Sequence, residues 1–146
     1  MTDSNRKKRV LFLCTANSCR SQMAQGYLEA MGQGDYEVFS AGLEPRSIHP
    51  LAVEVMKEDG IDISENESTD LKEYLGTTRI DTVITVCSNA DARCPTVWPG
   101  LSERMHWGFE DPVVFEGTNE EKLAKFREVR NRIKARITDW VSLKNS

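Results

Sequence analysis

Cys14 and Arg20 bracket five small or polar residues in the segment CTANSCRS, a nucleophile and a cation at a fixed separation. Five residues can close into a semicircle whose backbone N–H groups point inward, and a helix N-terminus behind them adds about half a unit of positive charge. The result is a cradle for a tetrahedral oxyanion. Arg20 supplies a planar fork able to hold two oxygens at once, which a lysine does not match. The same field acts on Cys14. A free thiol titrates near pH 8.5, and a downward shift of about two units, about 2.7 kcal/mol, makes it mostly thiolate at neutral pH. The candidate substrate-binding residues are therefore Thr15, Ala16, Asn17, Ser18, Cys19, Arg20 and Ser21. Asn17 tolerates a left-handed conformation, and Ser21 is placed to cap the helix or to donate to the Cys14 sulfur. Cys19 reads as structural, or as the partner of Cys14 in a redox side reaction.

Two further cysteines form a second group. Cys87 closes the apolar run DTVITVC and should emerge at the same sheet edge as Cys14, while Cys94 follows after SNADAR. Ser88 is suited to cap one or two helical turns there. If that helix is complete, seven residues at about 1.5 Å each separate Cys87 from Cys94 by about 10 Å, beyond the roughly 7 Å limit for a disulfide. The segment from Ser88 to Pro99 is therefore expected to be a redox-driven switch, folded when reduced and looped outward when Cys87 and Cys94 are joined. The plainer reading is two unrelated, half-buried cysteines. Zinc binding with His49 or His106 is disfavoured, because the spacings C-x4-C and C-x6-C form no compact ligand knuckle, and both histidines read as loop or packing residues. In HWGFEDPVVFEG, Pro112 forces Asp111 to be extended, which lets a carboxylic acid lean over the anion loop as a general acid.

The elements that must position these groups alternate. Val10 to Leu13 reads as a strand buried on both faces, and Met23, Tyr27 and Met31 mark a helix from Gln22 to Met31. Tyr36 to Ala41 is a second strand. Pro50 opens a helix with Leu51, Val55 and Met56 on its apolar side, and Gly60 stops it. Thr82 to Val86 is a third strand and Met105 to Trp107 a short fourth. Leu123, Phe126, Val129, Ile133, Ile137 and Trp140 make the last segment a long amphipathic helix, whose Lys125, Arg127, Arg130, Arg132 and Arg136 read as a solvated face. Strand–helix alternation implies an α/β three-layer sandwich with a four-stranded parallel sheet, its ligand at the carboxyl ends of the strands.

With 146 residues, 39% hydrophobic and 29% charged, the chain is expected to form a single domain, residues 1–146, with a flexible basic tail at 1–8. The net charge of −4 lacks the positive excess that nucleic acid demands. No apolar run approaches the roughly 20 residues of a membrane span. The apolar stretch after Arg9 is too short for a secretion signal, and bulky Leu13 precedes Cys14 where a small residue belongs. A cytoplasmic protein is expected, with cysteines that are reactive rather than a disulfide framework.

Taken together, CTANSCRSQMA, VCSNADARCP and HWGFEDP resemble the thioredoxin-coupled arsenate reductases, which are built on the low-molecular-weight protein tyrosine phosphatase fold. Similar order and spacing extend over nearly the whole chain. The loop and the Asp-Pro pair are common to reductases and phosphatases, whereas the second cysteine pair marks the reductases. Phosphatases of this fold usually carry tyrosines where Val113 and Val114 stand. The resemblance implies that arsenate binds from Thr15 to Arg20, Cys14 attacks arsenic with Asp111 as acid, and Cys87 attacks the Cys14 sulfur as arsenite leaves. Cys94 then takes Cys87 into a disulfide that thioredoxin reduces, each step a thiolate displacement. No cofactor is implied. Some relatives hold a potassium ion with an acidic residue at the position of Gln25, which lacks that charge, so no metal is assigned. The rival readings are a phosphotyrosine phosphatase and a non-catalytic redox or oxyanion sensor.

Overall fold

The computed structural model describes residues 7–32, 34–94 and 103–144. The first part of the expected tail, residues 1–6, lies outside them, as do residues 95–99 of the expected switch segment. Strands β1 (Lys8–Cys14), β2 (Tyr36–Gly42), β3 (Thr82–Thr85) and β4 (Glu103–His106) form one parallel sheet in the order β2-β1-β3-β4. Helices α1 (Arg20–Met31), α2 (Pro50–Glu58), α3 (Ser88–Arg93) and α4 (Asn119–Lys144) alternate with them.

Val10, Leu11, Phe12 and Leu13 have no exposed surface. Successive strand side chains point to opposite faces, so complete burial of four in a row means that both faces are covered. This is the expected α/β three-layer arrangement. Lys8 differs from expectation: its N–H bonds to the Asp35 carbonyl at 3.2 Å and it pairs with Tyr36, so it belongs to the sheet and not to a tail.

Met23 and Tyr27 of α1 face the core, as do Val55 and Met56 of α2. Gly60 follows α2 at φ +78°, the left-handed position at which glycine ends helices. On α4, Phe126, Val129, Ile133, Ile137 and Trp140 are buried at the expected spacing. Its basic residues are not all a solvated face. Arg130 is buried: it donates to the Val55 carbonyl at 2.9 Å and to Glu58 at 2.6 Å, while Arg127 reaches the same Glu58 carboxylate at 2.7 Å. Arg136 lies over the Trp107 ring, 5.0 Å from its centroid. Guanidinium groups on an amphipathic helix are long enough to cross the edge of its apolar stripe and fix a neighbouring element.

The strand order places a topological switch between β1 and β3. From β1 the chain moves outward to β2, then returns past β1 to β3. In such sheets the crevice opens at the carboxyl ends of the two strands flanking the switch. Cys14 ends β1 and Cys87 lies just beyond β3.

Candidate active site

The loop from Cys14 to α1 is shaped from outside. The segment after β2 runs alongside it and donates four backbone bonds to its carbonyls: Leu43 N–H to Cys14, Glu44 to Thr15, Arg46 to Ala16 and His49 to Ser18, at 2.8–3.3 Å. Carbonyls held outward leave the loop's N–H groups free to converge inward, as an anion nest requires. Asn17 adopts φ 50°, the left-handed turn expected of it, and its N–H donates to the Cys14 sulfur at 3.1 Å. Gly42 lets the two segments approach. A Cβ there would lie 2.9 Å from backbone atoms of Thr15, Ala16 and Asn17.

Ser21 sits where the second of its two expected roles would place it, its hydroxyl 2.9 Å from the Cys14 sulfur, but its one hydrogen goes to Asn17 Oδ1 at 2.8 Å, so in the resting thiol form the sulfur is the donor to Ser21. Ser21 does not cap α1, whose N-cap is Cys19 without a side-chain bond. Gln22 braces the loop from behind, donating to the Asn17 carbonyl and Oδ1 and to the Glu67 carbonyl, each at 3.2 Å. Burial pushes the Cys19 thiol well up, with the Arg20 charge opposing weakly. That keeps it protonated and a poor nucleophile, which favours the structural reading over a side reaction with Cys14.

Arg20 faces the mouth. One guanidinium nitrogen donates to the Phe109 carbonyl at 3.0 Å and another lies 3.5 Å from Asp111 Oδ2. Among the described residues at most two of its five N–H donors are used, so the fork keeps donors for an oxyanion. Asp111 also accepts from Val113 N–H at 3.0 Å, capping the short turn Pro112–Val114. Loop, Arg20 and Asp111 share a cavity of about 340 Å³ with Glu44 and Arg46.

The second cysteine pair flanks α3 as an intact six-residue helix. Its cap differs from expectation. Cys87, not Ser88, is the N-cap, and its sulfur accepts from Ala90 N–H at 3.4 Å. The Cys87 sulfur also lies 3.4 Å from Thr15 Oγ1, and Asn89 donates to that same oxygen at 2.9 Å. Since Thr15 Oγ1 accepts from Asn89, its own hydrogen is available to Cys87. Thr15 therefore joins the anion loop to the second cysteine. Cys94 caps the far end of α3, buried, and burial pushes its thiol up, the Arg104 charge opposing and Asp91 adding. All four cysteines are free thiols. The intact helix holds Cys94 about 10 Å along from Cys87.

The packing reading holds for His49, and both histidines also make polar contacts. His49 caps α2, its Nδ1 accepting from Leu51 N–H at 3.1 Å, with its ring on Phe126 at 4.9 Å. Burial lowers its pKa, against the raising effect of Asp111, so the neutral ring that can accept is favoured. His106 Nδ1 lies 2.8 Å from Thr85 Oγ1. Gln25 accepts from Ser40 Oγ at 2.5 Å and donates to the Val38 carbonyl at 3.3 Å and to the Glu29 carboxylate at 3.2 Å, a neutral amide where the potassium-holding relatives carry a charge. Gly42, Gln22 and the Leu43–His49 segment were not singled out by sequence reasoning. The one signal for them was SAG ahead of a proline-rich loop, which marks a turn without saying what it turns against.

Residues 9–145 match the family described as low molecular weight phosphotyrosine protein phosphatase. The arsenate reductase of Halalkalibacterium halodurans is 49% identical over 131 residues, covering 90% of this chain and 93% of that one. A solved arsenate reductase in its phosphate-binding state superposes with a TM-score of 0.76 at 35% identity, covering 92% of this chain and 97% of the other. The thioredoxin-dependent arsenate reductase of Corynebacterium glutamicum gives a TM-score of 0.65 at 30% identity, over 97% of this chain and 65% of that one.

Proposed function

The chain belongs to the low molecular weight phosphotyrosine protein phosphatase family, and we propose that its place in that family is as an arsenate reductase working through Cys14, Cys87 and Cys94. It is an enzyme that reduces arsenate to arsenite, as its relatives at 41–49% identity do by name. The observation that carries the relay is the meeting of the anion loop with α3, where Thr15 touches the sulfur of Cys87.

Arsenate enters the loop between Thr15 and Ser21, its oxygens met by backbone N–H groups and by Arg20. The Cys14 thiolate attacks arsenic, an S–As bond forms, and Asp111 acts as general acid, passing a proton to the departing oxygen, which leaves as water. The Cys87 thiolate, donated to by Thr15, attacks the Cys14 sulfur. An S–S bond forms, the S–As bond breaks, and its electron pair goes to arsenic, now arsenite. Cys94 becomes a nucleophile once α3 opens and its thiol leaves the core. Its attack on Cys87 releases the Cys14 thiolate and moves the disulfide to Cys87–Cys94. A thioredoxin, named for the Corynebacterium relative, then supplies two electrons. Free thiols in this number need a reducing compartment, so we place the enzyme in the cytoplasm.

Replacing Cys87 with serine, in an assay coupling arsenate reduction to NADPH through thioredoxin and its reductase, tests the reading. The expected variant forms the first adduct on Cys14 and does not turn over. Retained phosphotyrosine hydrolysis as the main activity, with no arsenate turnover by the wild type, would make the chain a phosphatase. Absence of any multiple turnover would leave a sensor.

A further inference from the structure

The charges at the mouth of the anion cavity are almost all committed. Arg20 and Asp111 face each other at 3.5 Å, and Glu44 is paired with Arg93 at 3.1 Å. Arg46 lines the same cavity, and among the described residues its guanidinium has no hydrogen-bond or ion-pair partner. Its backbone is fixed on both sides. The N–H donates to the Ala16 carbonyl of the anion loop at 2.9 Å, and the carbonyl accepts from Ser68 Oγ. A residue stitched to the loop by its main chain, with its charged head exposed, holds a cation at the rim. Arg46 also borders an open groove of about 890 Å³ beside α2, so it stands on the ridge between that groove and the cavity.

We propose that Arg46 is a further oxyanion-binding residue, which captures the arsenate dianion at the rim and passes it to the loop. The inference rests on the reductase reading only for the identity of the anion. With the two ion pairs neutralised, Arg46 supplies the uncompensated positive charge at the mouth. An oriented cation at a concave entrance raises the local concentration of a dianion and its rate of encounter, and the gain falls with ionic strength. Arg46 is not needed for sulfur transfer, so its contribution belongs in KM and kcat/KM, not in kcat. A point charge suffices for capture, so lysine should replace arginine at position 46, unlike at position 20, where the planar fork is required.

Two measurements test this. In the coupled assay, Arg46→Ala should raise KM for arsenate about three- to tenfold with kcat within about twofold, Arg46→Glu should raise it further, and Arg46→Lys should restore most of the loss. The decline of kcat/KM with added salt should be shallower for Arg46→Ala than for wild type. Independently of turnover, calorimetry with inorganic phosphate on the Cys14→Ser background should show the same ordering of affinities. The alanine variant keeps both main-chain bonds, and circular dichroism should report an unchanged fold. Unchanged KM, salt dependence and phosphate affinity in Arg46→Ala would overturn the role. Phosphate affinity that depends on Arg46 in a chain without arsenate turnover would support the anion site while removing the reductase reading.

Discussion

At the residue scale, the chemistry depends on which sulfur is prevented from reacting as much as on which one reacts. Cys14 receives a backbone N–H and lies against the Ser21 hydroxyl, whereas Cys19, five residues on, is buried without a side-chain bond to its helix, and burial pushes its thiol up. In the native reduced protein at pH 8, iodoacetamide should leave Cys19 unmodified by peptide mass spectrometry, and Cys19→Ala should keep turnover within about twofold while Cys14→Ala abolishes it. Gly42 sets a different constraint. With backbone atoms at 2.9 Å from any added Cβ, the neighbour cannot yield as a flexible side chain would. Gly42→Ala should cost about 1–3 kcal/mol in urea denaturation and lower arsenate turnover more than that loss of folded protein explains, because the displaced atoms belong to the anion loop.

At the element scale, α3 is held by side chains that report to the site. Asn89 bonds Thr15, Arg93 pairs with Glu44, and Asp91 accepts from Thr85 Oγ1 at 3.0 Å and, through its carbonyl, from Arg104 at 2.7 Å. A Cys87–Cys94 disulfide cannot span the intact helix, so oxidation must break these contacts together. Amide hydrogen exchange in residues 88–93 should therefore be slow in the reduced protein and fast in the disulfide form. Asp91→Ala removes the carboxylate's bonds from Thr85 and Arg104 and should speed exchange in the reduced form at least about fivefold, the equivalent of about 1 kcal/mol or more. Equally slow exchange in both redox forms would remove the switch. Much of this was legible in the chain. The C-x5-R-S spacing, the β-branched run before Cys87 and the 3–4 periodicity of α4 each have a local cause, so each element formed where its residues place it. The bracing of the anion loop was not legible. Leu43 to His49 act through main-chain N–H groups, which every residue but proline carries. The burial of Arg130 was missed for a related reason: composition gives charge, not which of the eight basic residues on α4 meets a carboxylate on another helix.

At the scale of the whole molecule, α2 and α4 are joined away from the cavity by a carboxylate cluster. Glu58 takes Arg127 and Arg130, while Asp59 accepts from Tyr27 Oη at 2.5 Å and lies 3.4 Å from Lys134. Hydrogen bonds from Arg127 and Arg130 hold the Glu58 carboxyl at about 2, and the Tyr27 bond lowers Asp59. Both shifts are depressions, so the stability they carry is complete above the unfolded carboxylate range, near pH 4.3 for glutamate, and is lost as pH falls toward about 2. The thermal midpoint should accordingly be insensitive to these groups above about pH 5 and fall steadily below it. In Glu58→Gln, which keeps the shape and loses the charge, the midpoint at pH 7 should drop by about 2–4 °C and the acid decline should flatten. The cluster lines neither the anion cavity nor α3, so arsenate KM at pH 7 should be unchanged in this variant. A shifted KM with an unshifted midpoint would mean that the α2–α4 contact is coupled to the loop through His49, the residue that both caps α2 and donates its N–H to Ser18.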